Sequence, residues 1–176
     1  KVTGVPSFIR EVKQPNIYFY FVEKAMTLLN DNGKAAIVLM AKFLNNDDGV
    51  YLKEYLHNHF EAILTYPHQM GDGEPLFEGF KVTTCILILS KRLVSEVTKF
   101  VHIRNTKLLS SVNELNRIID GSGNEINDDF SRICVNKTEL SPNSNWRIYS
   151  MDPEGKYQSF LETRQLKPIS RYFEIK

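Results

Sequence analysis

The residues best suited to chemistry lie in one stretch, Pro67 to Phe80, about fourteen residues with Gly71, Gly73 and Gly79 and no regular apolar period. Unpatterned loops of this length tend to be functional. It carries two aromatic rings, Phe77 and Phe80, and is followed at once by Lys81. Flat aromatic faces accept planar ligands and an ammonium accepts phosphate, but the residues alone favour ordinary packing for both rings. Other groups are weaker. His57 and His59 stand two apart in a predicted helix, so they point to different faces and make a poor metal pair. No Cys or carboxylate cluster completes a metal site. His68 is a lone loop histidine, and Asp47-Asp48 are placed to favour a helix start. Gly71-Asp72-Gly73 is not a cofactor loop, because no helical pattern follows it. Nothing has the Gly-x-Ser-x-Gly spacing of a hydrolase. No metal-binding residues and no Gly-rich cofactor loop are therefore expected in this chain.

The elements around that loop are legible from period and punctuation. Pro15-Asn16 opens a helix, with Asn16 as N-cap and Ile17, Tyr20/Phe21, Ala25 and Leu28/Leu29 as one wide apolar face. Asp31-Asn32-Gly33 stops it, with Gly33 suited to a left-handed C-cap. Ala35 to Met40 has no polar alternation and predicts a strand covered on both faces of a central parallel sheet. A second helix burying Leu52, Tyr55, Leu56 and Phe60 leads to a strand from Glu61 to Tyr66, a right-handed βαβ unit. After the loop, Val82 to Leu89 is the strongest strand pattern, and another runs from Val97 to Ile103. Beyond Arg104 the texture changes. Leu108 to Ile119 reads as a helix broken by Gly121-Ser122-Gly123-Asn124, Asp128 to Asn145 as polar and irregular, Trp146 as part of a short strand, and Tyr157 to Gln165 as a short helix. A boundary is placed at 104/105.

Composition sets outer limits. Of 176 residues, 42% are hydrophobic and 24% charged, ordinary for a globular chain with a core. Residues 1–104 hold 12 Lys/Arg against 11 Asp/Glu and residues 105–176 hold 10 against 10, so any nucleic-acid contact must be a local patch. Cys85 and Cys134 lack metal-ligand spacing, and Cys85 sits in an apolar run as a buried reduced thiol would. No apolar run approaches the roughly 20 residues that span a bilayer, and no signal peptide opens the chain. An intracellular, cytoplasmic location without membrane contact is expected.

Three passages carry a resemblance. Asn16-Ile17-Tyr18-Phe19-Tyr20-Phe21-Val22-Glu23-Lys24-Ala25 with Leu28-Leu29, Gly33-Lys34 and Ala36 to Leu39 is similar to the segment that follows the Asn-Pro-Pro-Tyr/Phe motif in γ-type adenine-specific DNA methyltransferases. Leu76 to Leu89 resembles that family's Val/Leu-Phe and Val-x-Thr-x-Ile-Leu-x-Leu signature. Leu166 to Lys176 resembles the approach to a target-recognition domain in fused restriction–modification enzymes. The chain departs from the pattern at Met40-Ala41-Lys42, where the family usually has Pro, and it contains neither the Asn-Pro-Pro-Tyr motif nor the Gly-rich cofactor turn.

The resemblance implies an α/β fold: the second half of a class I, Rossmann-like S-adenosylmethionine-dependent methyltransferase, ending in an antiparallel hairpin, followed by a linker. Residues 1–104 would be the C-terminal half of the catalytic domain, and 105–176 the linker into a recognition domain. The parent would move a methyl group from S-adenosyl-L-methionine to the exocyclic amine of an adenine flipped out of double-stranded DNA. It would belong to a prokaryotic restriction–modification system and could associate with restriction or specificity domains. By the motif Phe77 stacks on the flipped base, Phe80 competes for that role, and Lys81 reaches a phosphate. The cofactor would be held mainly by a missing N-terminal half, which leaves this piece inactive alone. An RNA or protein methyltransferase, or a non-catalytic DNA- or protein-binding module on a degenerate fold, remains the alternative.

Overall fold

The computed structural model describes residues 16–45, 47–66, 83–92, 96–151, 153–154 and 156. Helix α1 (Ile17–Leu28) leads to strand β1 (Lys34–Met40), helix α2 (Gly49–Leu56), strand β2 (Phe60–Thr65), strand β3 (Thr84–Ser90) and strand β4 (Val97–Ile103). Helix α3 (Val112–Asp120), strand β5 (Glu125–Ile126), strand β6 (Phe130–Asn136) and the single turn α4 (Ile148–Met151) follow. The strands form one open six-stranded sheet in the order β1-β3-β2-β4-β6-β5.

Strand β3 runs antiparallel to both of its neighbours, β1 and β2, which therefore run the same way as each other. β4 lies parallel to β2, and β6 lies antiparallel to β4. The final antiparallel hairpin expected after the long loop does not form between β3 and β4, because β2 lies between them; β3 instead inserts antiparallel between the parallel, helix-linked strands β1 and β2. The 104/105 division suggested by the change in texture lies inside a continuous sheet, because β6 pairs with β4 from Val97↔Asn136 to Ile103↔Phe130.

Alternation along β2 and β4 divides the core in two. Phe60, Ile63 and Phe100 pack with Phe19, Val22, Leu52, Leu56 and Trp146 on one face of the sheet. Ala62, Leu64, Val101 and Ile103 pack with Ile118 and Phe130 on the other. Trp146, fully buried, meets Phe60 edge-on at a centroid distance of 5.5 Å and Phe100 at 6.2 Å, and its indole N–H donates to the Ser141 carbonyl at 2.8 Å. It thereby fixes the residues after β6 to the sheet.

Five local expectations are corrected. β1 is not a doubly covered central strand: it pairs with β3 alone among the described residues, and Val38 on it is 51% exposed. α1 buries Phe19, Val22 and Met26 and leaves Ile17, Tyr20, Phe21 and Leu28 exposed, because apolar residues occupy nearly every side of this helix and periodicity alone does not choose among them. Gly33 is not left-handed. The chain turns extended at Leu29, and Gly33 is small because a Cβ there would crowd Asn30 and Leu29 at 3.0–3.1 Å. Residues 128–145 are not irregular: β6 lies within them, and Trp146 precedes a helical turn rather than forming a strand.

Phe77, Phe80, Lys81, His68, Gly71-Asp72-Gly73, the 157–165 helix and the 166–176 passage lie outside the described residues.

Candidate functional site

Because β1, β2 and β4 run in one direction, their carboxyl ends share one side of the sheet, the side on which open α/β folds bind ligands. A cleft of about 390 Å³ opens there. Ala41 follows β1, Thr65 and Tyr66 close β2, Thr83 precedes β3, and His102 and Arg104 come from the end of β4. The opposite wall is Arg147, Ser150, Met151 and Pro153, brought in by the turn that follows Trp146.

Main-chain and side-chain bonds hold the floor. The Ala41 N–H donates to the Thr83 carbonyl at 2.9 Å, and the Tyr66 and Thr84 hydroxyls share a hydrogen bond of 2.5 Å. The end of β2 and the start of β3 are thus held together at the cleft. Thr65 Oγ1 lies 2.9 Å from His102 Nδ1 and 3.5 Å from the Val101 carbonyl. Both contacts are satisfied when His102 Nδ1–H donates to Thr65 Oγ1 and the hydroxyl donates on to the Val101 carbonyl; in the other tautomer the hydroxyl donates to Nδ1. Burial, and then the neighbouring Arg104 guanidinium, hold the His102 pKa below the usual imidazole value, so the ring is neutral at pH 7. Arg104 Nη1 donates to the Asn127 carbonyl at 2.5 Å. The Arg147 guanidinium has no hydrogen-bond or ion-pair partner among the described residues, and the buried Ser150 hydroxyl has none either. No Asp or Glu lines the cleft among the described residues.

The histidines weighed as ligands are structural. His57 Nε2 bonds the Leu140 carbonyl at 3.1 Å and His59 Nδ1 the Ser90 carbonyl at 2.9 Å, so they serve different loops. No cluster of three metal-ligating side chains occurs among the described residues. Cys85 is fully buried, and burial pushes its thiol up to about 12. Thr65, His102, Arg104 and Arg147 escaped the sequence reading. The first three had a usable signal, since each sits where an apolar strand ends; Arg147 had none.

The first 8–70 residues that carry α1, β1, α2 and β2 match the profile of the family described as Eco57I restriction-modification methylase. The likeness is to restriction–modification methylases. The type II methyltransferase M.AccI of Acinetobacter calcoaceticus is 24% identical over 160 residues, covering 91% of this chain and 27% of the relative. The chain therefore spans about a quarter of the length of that curated relative. Among solved structures, the type IIG restriction endonuclease BpuSI superposes with a TM-score of 0.54 at 18% identity, over 82% of this chain and 17% of that one. A modification subunit of a putative type I restriction enzyme from Vibrio vulnificus gives 0.50 at 18% identity, over 84% and 35%. At these identities the superpositions speak for the fold alone, and they agree with a Rossmann-like methyltransferase sheet. Among the described residues no helix is long and apolar enough to cross a membrane.

Proposed function

We propose that the parent of this chain is a DNA methyltransferase of a restriction–modification system that methylates the exocyclic amine of adenine, and that this chain supplies the far wall of its substrate pocket. The supporting observation is the cleft at the carboxyl ends of β1, β2 and β4, from whose rim the segment carrying Phe77 departs at Tyr66 and returns at Thr83. A base flipped out of a duplex loses its stacking partners, and an aromatic face returns roughly 1–3 kcal/mol. Phe77 is the residue assigned to that face in this reading. Phe80 is assigned to packing and Lys81 to a nearby phosphate.

S-Adenosylmethionine supplies an electrophilic methyl group on a positively charged sulfonium. The described cleft does not fit it, since its described lining residues include two guanidinium groups and no carboxylate. The donor is assigned to protein beyond this chain, as is the Asn-Pro-Pro-Tyr motif, and association with restriction or specificity modules belongs to the same reading.

The test is transfer of labelled methyl groups to mixed-sequence DNA by the full-length parent. Adenine should be labelled, and Phe77→Ala should lower base capture roughly ten- to hundredfold while leaving the fold intact. A wild type that neither binds donor nor labels DNA would overturn the enzyme reading in favour of a binding module.

A further inference from the structure

A guanidinium drawn partly out of water without a counter-charge gives up hydration for nothing in return. The other inward cations of this chain do not do so. Arg132 donates to the Ile118, Gly123 and Ser122 carbonyls and to Glu125, Lys53 donates to the Ser144 carbonyl, and Lys137 to that of Asn58. Arg147 is different. It is half-buried on the cleft wall, and its guanidinium meets no acceptor among the described residues. Arg104 lines the same cleft with one bond to a carbonyl and no carboxylate. Asp129, whose main-chain carbonyl accepts the Arg104 N–H, takes the Asn105 amide on its carboxylate. His102 lines the same wall, and burial and then Arg104 hold its pKa below the usual imidazole value, so it brings no acid into the cleft.

Two guanidinium groups, with no acid among the described lining residues, make a site for an anion with several acceptor oxygens. We infer that the cleft between the end of β4 and α4 is a phosphate subsite, in which Arg104 and Arg147 grip a backbone phosphodiester of the nucleic acid. The phosphodiester assignment rests on the DNA-methyltransferase reading above; the phosphate chemistry rests on the cleft itself. The subsite explains how a chain of net charge +1 engages a polyanion: the positive charge is local and pre-placed rather than spread over the surface.

The experiment uses the full-length parent, wild type and R147Q, with duplex DNA binding measured from about 50 to 200 mM salt. One lost phosphate contact should flatten the slope of log K against log salt by about 0.9 and weaken binding roughly tenfold or more. R147K, which keeps the charge, should restore most of the slope. Unfolding midpoints should match across the three proteins, since the guanidinium bonds nothing within the described chain. A slope unchanged in R147Q overturns the backbone assignment. A parallel titration with inorganic phosphate separates the sources. Saturable phosphate binding lost in R147Q, with the DNA slope unchanged, means a free phosphate ligand and likewise overturns the assignment to DNA. Should the wild type bind no DNA and transfer no methyl group, the function reading fails by itself. The phosphate titration then decides the subsite: binding abolished by R147Q supports the phosphate chemistry, and no binding overturns it.

Discussion

Replacing Trp146 with alanine tests whether the polypeptide after β6 belongs to the same cooperative unit as the sheet. The indole is fully buried against Phe60 and Phe100, sits beneath the Lys53 ammonium at 5.4 Å, and donates one hydrogen bond to Ser141. Truncating a buried Trp to Ala costs about 3–5 kcal/mol, a large part of the roughly 5–15 kcal/mol that holds a domain together. With a urea dependence of about 2 kcal/mol per molar, the midpoint should fall by roughly 2 M. Far-UV circular dichroism is the assay, because the chain has one Trp and the variant removes its fluorescence. Trp146→Phe keeps most of the packing and loses the indole N–H, so it should cost about 1 kcal/mol, roughly 0.5 M. A Trp146→Ala shift below about 0.5 M would refute the reasoning, for residues 137–151 would then be an appendage whose loss the sheet does not feel.

Further outcomes follow from other contacts. Gly121→Ala places a Cβ onto the Arg132 guanidinium, which is buried and bonded to three carbonyls and Glu125, so a loss of about 2–3 kcal/mol in chemical denaturation is expected. In the native protein Cys134 should react with a thiol reagent while Cys85 stays silent until denaturant is added; two fast thiols would contradict its burial. The same shift makes stability pH-dependent. The folded state keeps the Cys85 proton up to about 12 while the unfolded thiol loses it near 9, so stability present below pH 9 declines as pH rises between those values, and Tyr18, also raised to about 12, adds to the decline above pH 10. His102 works from the acid side. Its folded pKa is lowered, so its contribution is present above the unfolded value of 6.5 and is lost as pH falls below it. Arg104→Gln should raise the His102 pKa in a nuclear magnetic resonance titration, and an unmoved titration would remove Arg104 as a cause.

The sequence was most readable where one periodicity competed with no other. Strands β2, β3 and β4 are short β-branched or apolar runs bounded by turns, and their positions follow from that pattern to within a residue or two. β6 was hidden because Arg132 occupies a buried position in it. A charged residue that satisfies its donors on four acceptors is indistinguishable, in sequence, from one facing water. The status of β1 was hidden for the opposite reason. An unbroken apolar run describes a strand that will be covered, but does not say which part of the polypeptide covers it. For the cleft, strand ends pointed to Thr65, His102 and Arg104 in principle, whereas Arg147 arrives through tertiary packing of Trp146, which leaves no local trace.

Among the described residues, the outer edge of β1 is an open seam. Among the described residues nothing pairs with the outward main-chain groups of this strand, on which Val38 is exposed, as are Ile17, Phe21 and Leu28 on α1. Such an edge accepts whichever strand arrives first. Were another copy to pair there, the product would be aggregate that grows with concentration. Supplied with a separately expressed strand-bearing piece, the same edge becomes the seam for fragment complementation, in which reconstitution is scored by recovery of solubility before any catalytic assay is attempted.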